Sequence, residues 1–277
     1  DDLYREKLFS EFWNVDVEKL GRDLLDAGSG ATYAHLCRIV MLNASPEKKN
    51  ARVIVDKNPM YYYFLREIRE IFPEAKFIHL VRDYRGNIAS HKKVFLMKKV
   101  RDIAWKWLWV NREIEALKKN MPGSFFTLRY EDVVANPGEE MKKICGFLGV
   151  DYSAEMISDH TEKIYPAFRN KKDAPGFGGI HASLFGKMSP EIPDKWKKEL
   201  SPGEILAAEK IDGDFGKKMY GYEPTIPPGE NHSAPAGIFV RMKFFMVRTF
   251  TRIFVRNRLT SPAMRLLMRT LIRIYKS

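Results

Sequence analysis

An α/β body built on a parallel sheet, followed by a basic helical tail, is the fold class that the sequence predicts. Residues 53–148 alternate short β-branched or apolar runs with helix-period segments, the pattern of strands joined by crossover helices. The composition, 45% hydrophobic and 30% charged over 277 residues, supports a sizeable core and excludes a disordered or collagen-like chain. Positive charge is segregated: of the net +12, ten Lys and Arg fall in 236–277 without any Asp or Glu, leaving +2 for residues 1–235. The body is therefore not a basic protein; it carries a basic tail.

Residues 1–50 read as mainly helical, for example Leu3 to Trp13 and Ala34 to Leu42. Arg52-Val53-Ile54-Val55 is short and β-branched and reads as a first strand, ending in Asp56-Lys57-Asn58-Pro59. Asn58 suits an N-cap with Pro59 at the first helical position. Met60, Phe64, Ile68 and Ile71 then form one apolar stripe, closed by Pro73. Phe77-Ile78-His79-Leu80-Val81 is a mostly apolar run suited to a buried parallel strand. Phe125 to Tyr130 reads as a third strand. Asn136-Pro137 with Glu139 opens a helix whose Met141, Ile144, Cys145 and Leu148 share one face, with Gly149 at its C-terminal cap.

The Pro-rich stretch 224–235 lacks periodicity and divides a body, 1–223, from a tail, 236–277. Cys37 and Cys145 have neither disulfide-framework nor metal-ligand spacing, and both read as helix-face thiols of a reducing, cytoplasmic compartment. No apolar run approaches the length of about 18 residues needed to span a bilayer. The chain begins at Asp1 without a signal-peptide pattern, which leads us to expect a lost N-terminus.

Ligands of open parallel sheets bind beyond the carboxyl ends of the strands. Asp56-Lys57 and Arg82-Asp83-Tyr84-Arg85 are charged clusters at two such ends, and Ser90 follows Arg82 by eight residues. A guanidinium fork with a hydroxyl suits a phosphate. The same residues also fit a surface arginine at a strand end and a serine that is merely helical. His79 reads as structural within its strand, and His91 as a solvated helix position.

Phe77 to Ser90 resembles the 3′-phosphate motif of the sulfotransferases, enzymes that use 3′-phosphoadenosine-5′-phosphosulfate (PAPS). Asp56-Lys57-Asn58-Pro59 is similar to the Asp-Lys-Thr-Pro segment of bacterial and carbohydrate-type members. Trp107-Leu108-Trp109-Val110-Asn111 resembles their Trp-x-x-x-Asn helix. Arg129-Tyr130-Glu131-Asp132, with Asn136-Pro137 and Phe147-Leu148-Gly149, resembles their Arg-Tyr-Glu-Asp to Phe-Leu-Gly stretch. Lys195 to Leu200 and Tyr220-Gly221-Tyr222 resemble the end of the domain, so the likeness spans roughly residues 40–223.

The resemblance implies a three-layer fold of the P-loop nucleotide-kinase kind, its central parallel sheet flanked by helices. It implies that Arg82 and Ser90 bind the 3′-phosphate and that Tyr130 lies near the adenine. Lys57 would contact the transferred sulfuryl group as the catalytic residue, and Lys187 and Lys195 would belong to a basic loop over the 3′-phosphate. Tyr130 also fits a core residue at a strand end, and Lys57 a surface lysine at a helix start. The family's Gly-rich phosphosulfate loop has no good counterpart: Gly28-Ser29-Gly30-Ala31-Thr32 lacks the basic residue and sits too near Asp56-Lys57. The N-terminal strand and loop are thus expected to be missing, and the general base with them. No metal is implied.

In the tail, Arg241, Arg248, Arg252 and Arg256 recur near helical spacing among Phe244, Phe245, Phe250, Ile253 and Phe254. This pattern fits helices lying in an anionic membrane interface, or docked on the body or a partner, better than nucleic-acid binding. The sequence reading is thus a PAPS-dependent sulfotransferase, cytoplasmic and peripheral at the membrane, with a sugar, lipid, tyrosine or small-alcohol acceptor. Its rival is a non-catalytic membrane-associated module that retains part of a nucleotide site.

Overall fold

The computed structural model describes residues 16–43, 51–58, 61–94, 99–158 and 192–225, together with 246 and 249. The helix expected at Leu3–Trp13, the linker beyond Thr225, Lys187 and the tail apart from Met246 and Thr249 lie outside the described residues. The chain divides into two units, Asp1–Ala75 and Lys76–Ser277.

In the first unit, helix α1 (Val17–Asp26) is capped by Asp16, whose carboxylate accepts the N–H of Lys19 at 2.9 Å. Helix α2 (Tyr33–Asn43) packs against it. Asn43 donates to Asp23 at 2.9 Å and accepts from Lys19 at 3.1 Å, joining the two helices by polar contacts. Gly28, at φ +69°, turns the chain between them, so the glycine pair there serves a bend.

The strand expected at 52–55 is not formed. Val53, Ile54 and Val55 are 40%, 36% and 71% exposed, and no described segment pairs with them. β-Branched residues favour an extended backbone, but a strand also needs a ladder partner. The single helix expected after Pro59 is instead a 3₁₀ turn at Tyr61–Tyr63 and helix α3 (Leu65–Ile71), separated by Phe64 at φ −124°.

The second unit opens with β1 (Phe77–Val81), helices α4 (Tyr84–Val94) and α5 (Val100–Asn120), and β2 (Phe125–Arg129). The strands pair in parallel from Phe77 opposite Phe125 to Val81 opposite Arg129. Tyr130, expected to end that strand, instead begins α6 (Tyr130–Ala135). Helix α7 (Pro137–Leu148) follows, ending as its sequence foretold: Gly149 adopts φ +76° and its N–H reaches the Cys145 carbonyl at 2.8 Å. Cys145 is buried in the core.

The two sheet faces meet different helices. On one, His79 bonds Asn111 of α5 at 2.9 Å; on the other, the Phe126 ring stacks on Phe147 of α7 at 5.5 Å. On that second face Leu80 of β1 is 55% exposed. The segment after residue 192 closes the core with a 3₁₀ turn at Pro193–Lys195 and helices α8 (Trp196–Glu199), α9 (Pro202–Asp212) and α10 (Phe215–Tyr220). Trp196, Ala208, Ile211, Tyr220 and Tyr222 join Tyr84, Ile88, Ile103, Trp107 and Leu108 in one buried cluster. Removing apolar surface of this kind from water contributes about 25 cal/mol per Å².

A charged cluster lies inside this unit. Arg85 is 4% exposed and forks onto Asp83, at 3.0 Å from Nε and 2.7 Å from Nη2, while its Nη1 reaches Glu209 of α9 at 3.0 Å. Its guanidinium lies 4.2 Å from the Trp196 ring centroid and 5.0 Å from that of Tyr84. Burial opposes the charge, but the Asp83 carboxylate outweighs it and holds Arg85 above its ordinary pKa. Asp212 is 4% exposed beside the cluster and accepts the Gly216 N–H at 2.9 Å. Burial, joined by the charge of Asp83, pushes its carboxyl up to about 7 against the pull of that N–H.

Because the folded pKa of Asp212 is raised, the native state holds this proton while the unfolded chain releases it. Stability is therefore intact below about pH 4 and is lost progressively as pH rises towards 7. The difference in unfolding free energy between Asp212→Asn and wild type should grow by a few kcal/mol in favour of the amide between pH 4 and pH 8. Urea melts across that range test this, and a pH-independent difference would place the titration elsewhere.

Candidate functional site

The two described strands of the second unit point their carboxyl ends at the same corner, where Arg82 follows β1 and Tyr130 follows β2. Asp83 Oδ1 accepts the Arg85 N–H at 2.8 Å, as a helix-capping carboxylate does, so the chain turns sharply from β1 into α4. Arg82 is held at its backbone on both sides. Trp107 donates its indole N–H to the Arg82 carbonyl at 2.9 Å, and the next N–H, of Asp83, donates to Glu131 Oε1 at 3.0 Å.

The Arg82 side chain lies along the first turn of α4. A methyl group replacing the Gly86 hydrogen would come within 3.0 Å of its Nε. This explains a glycine in a helix interior, where it costs about 1 kcal/mol against alanine. Ser90 stands four residues after Gly86, one turn along the same helix face. The Arg82 guanidinium also lies 4.8 Å from the Tyr130 ring centroid. Its Nε is buried without a hydrogen-bond partner. Arg82 and Ser90 are both half-buried. The corner thus presents a stacked, charged donor group with unused hydrogen-bonding capacity, and Ser90 lies one turn along the same helix face; both residue types suit a phosphate.

Of the two arginines in the motif, Arg85 is consumed by the core and Arg82 faces the corner. Lys195 is exposed at the end of its 3₁₀ turn, which packs against both α4 and α6. Lys57 belongs to the first unit and is exposed. Next to it, Asp56 accepts a hydrogen bond from Tyr61, and burial raises the Tyr61 phenol beyond its ordinary range. Gly86, Trp107 and Glu131 are the residues of this corner to which the sequence reading gave no part. A glycine inside a helical pattern was the available signal for the first. The described residues contain no cluster of His, Cys, Asp and Glu able to hold a metal.

The histidines near the sheet differ in environment. His79 bonds Asn111 through Nε2 and accepts from Lys118 at 3.3 Å through Nδ1. Burial, with the Lys118 charge, lowers its pKa to about 4. His91, expected to be solvated, is half-buried, and its Nδ1 donates to the Asn87 carbonyl at 3.0 Å. Burial and the charges of Lys106 and Arg82 hold it below the ordinary histidine range.

Comparison with known proteins gives the chain a family. A family model described as the sulfotransferase family matches residues 16–154. Protein-tyrosine sulfotransferase 2 of Gallus gallus is 26% identical, over 83% of this chain and 60% of that protein. The omega-hydroxy-beta-dihydromenaquinone-9 sulfotransferase of Mycobacterium bovis is 25% identical, over 41% of this chain and 35% of its own length. The chain thus spans less than two thirds of either relative. A solved sulfotransferase domain from the curacin biosynthetic pathway superposes with a TM-score of 0.50 at 20% identity, covering 66% of this chain and 67% of that one. It shares the fold.

The His79 geometry makes a direct prediction. Its imidazole should stay neutral by NMR from pH 8 down to about pH 5, whereas an exposed histidine titrates near 6.5. Because that pKa is lowered, its contribution to stability falls away as pH drops from about 6.5 towards 4. A His79 midpoint near 6.5 would contradict the buried hydrogen-bond assignment.

Proposed function

Since the chain belongs to the sulfotransferase family, we propose that it transfers a sulfuryl group from PAPS to an acceptor hydroxyl, its 3′-phosphate held by Arg82 and Ser90. One observation carries this reading: the buried, unpartnered Nε of Arg82 on the Gly86–Ser90 face of α4. A 3′-phosphate would supply its missing acceptor, and Ser90 a further hydroxyl contact. Tyr130, already stacked on Arg82, offers an aromatic face to the adenine. Lys195 would add positive charge over the phosphate, joined by Lys187.

In the reaction, the acceptor oxygen attacks sulfur in line while the bond from sulfur to the bridging phosphate oxygen breaks. Adenosine 3′,5′-bisphosphate leaves with the bonding pair, and the hydroxyl proton passes to a base. Lys57, the catalytic residue of this proposal, would stabilise charge building on the bridging oxygen or the sulfuryl group. The chain otherwise contributes positioning. Two relatives are named for hydroxyl acceptors, a protein tyrosine and an omega-hydroxylated dihydromenaquinone, which supports an acceptor hydroxyl for this chain. Family membership favours this transferase reading over a module without catalysis.

Arg82→Ala should weaken adenosine 3′,5′-bisphosphate binding by about 2–4 kcal/mol, since a charge-assisted contact is lost. Adenosine 5′-phosphate should be almost unaffected. Calorimetry with both nucleotides on both proteins tests this, and equal losses would overturn the 3′-phosphate assignment.

For the tail, we propose binding to an anionic membrane surface, on the strength of its ten basic residues without an acidic one. The described residues contain no helix long and apolar enough to cross a membrane. Each Lys or Arg near such a surface contributes about 1 kcal/mol, screened by salt. The full chain should therefore sediment with phosphatidylserine vesicles at low salt, release at high salt, and ignore phosphatidylcholine vesicles. Equal sedimentation with both lipids, or none at low salt, would contradict it.

A further inference from the structure

Glu131 uses both carboxylate oxygens on parts of the chain that are distant in sequence. Oε1 accepts the Asp83 N–H at 3.0 Å, at the corner between β1 and α4. Oε2 accepts the Tyr222 hydroxyl at 2.9 Å, in the segment that follows α10. Tyr222 is buried, and the Arg129 guanidinium lies 5.1 Å from its ring centroid. Burial, strengthened by the Glu131 charge, raises its phenol beyond the ordinary range, so it remains a donor throughout the working pH range.

These two bonds bear directly on Arg82. The N–H that Glu131 accepts belongs to the residue after Arg82, while Trp107 fixes the Arg82 carbonyl from the other side. Glu131 also follows Tyr130, whose ring lies against the Arg82 guanidinium. One carboxylate thereby couples the β1 corner, which carries the cation, to the β2 corner, which carries the aromatic face. Tyr222 anchors that carboxylate from behind and prevents it from rotating away. The carboxylate accepts both bonds and faces a backbone amide and a phenol, so its charge serves geometry.

We propose that Glu131 is a positioning residue of the nucleotide site, setting Arg82 against Tyr130 and thereby the preference for a 3′-phosphorylated adenosine nucleotide. This rests on the assignment of Arg82 to the 3′-phosphate. The preference is the ratio of the dissociation constants of adenosine 5′-phosphate and adenosine 3′,5′-bisphosphate, measured on the full chain. Glu131→Ala should lower that ratio about tenfold or more. Glu131→Asp, which keeps the charge but is one methylene too short to reach both partners, should lower it similarly. Glu131→Gln should retain most of it, because the amide oxygen still accepts from Asp83 and the amide nitrogen can donate to Tyr222. A role in stability alone would lower the melting temperature of Glu131→Asp and leave the ratio unchanged, which would overturn the proposal. Should Glu131→Ala fail to fold, Glu131→Asp and Glu131→Gln decide. Arg82→Ala separates the two claims: if it leaves the ratio intact, the nucleotide assignment itself fails. If it collapses the ratio while Glu131→Asp does not, only the role of Glu131 falls.

Discussion

The buried guanidinium of Arg85 is the constraint on which the larger unit depends. A charge that is 4% exposed is tolerable only when paired, and Asp83 and Glu209 pair it from opposite sides. Removing either partner would leave part of the guanidinium fork without an acceptor, at a cost of about 1–3 kcal/mol. Glu209 also accepts both the N–H and the hydroxyl of Thr225 at 2.8 Å, so one carboxylate fastens the end of the described body to the corner of β1. The order of the site follows from this. With Arg85 turned inward, the Asp83 backbone is fixed, its N–H is aimed at Glu131, and Arg82 is the arginine left to face outward.

How much of this was legible in the sequence depended on whether the determining contact was local. The extent of β1, the α7 face with Cys145, and the Gly149 cap rest on periodicity and on residues within one turn, and the structure agrees with them. The burial expected for β1 holds on one face only, since Ile78 and Leu80 are exposed on the other. The segment 52–55 carried the right composition for a strand but has no partner among the described residues, and no local pattern encodes a partner. Tyr130 was assigned to a strand because the apolar run continues through it, yet Glu131 and Asp132 open a helix there. Glu209, and the role of Glu131 within its motif, are not legible for a different reason. Their meaning lies in contacts 124 and 48 positions away, with Arg85 and with Asp83.

At the site, strand-end chemistry and a family resemblance both point to Arg82 and Ser90, while Tyr130 comes from the resemblance alone. The structure adds why Arg82 and Tyr130 meet. Gly86 leaves room for the arginine to lie along the helix towards the Ser90 turn, and Tyr130 begins a helix whose first turn is bonded to the arginine's own backbone. Lys195 sits on a turn packed against both of those helices. Lys57 belongs to the other unit and Lys187 lies outside the described residues, so their roles rest on the resemblance. Membership in the sulfotransferase family is shown over residues 16–154.

The central claim is that the unpartnered Nε of Arg82 marks the seat of a 3′-phosphate. A crystal structure of the full chain with adenosine 3′,5′-bisphosphate tests it most directly. The account predicts the 3′-phosphate within hydrogen-bond reach of Arg82 and Ser90, with the adenine beside Tyr130. A 3′-phosphate bound elsewhere, with the Arg82 Nε still without an acceptor, would contradict it.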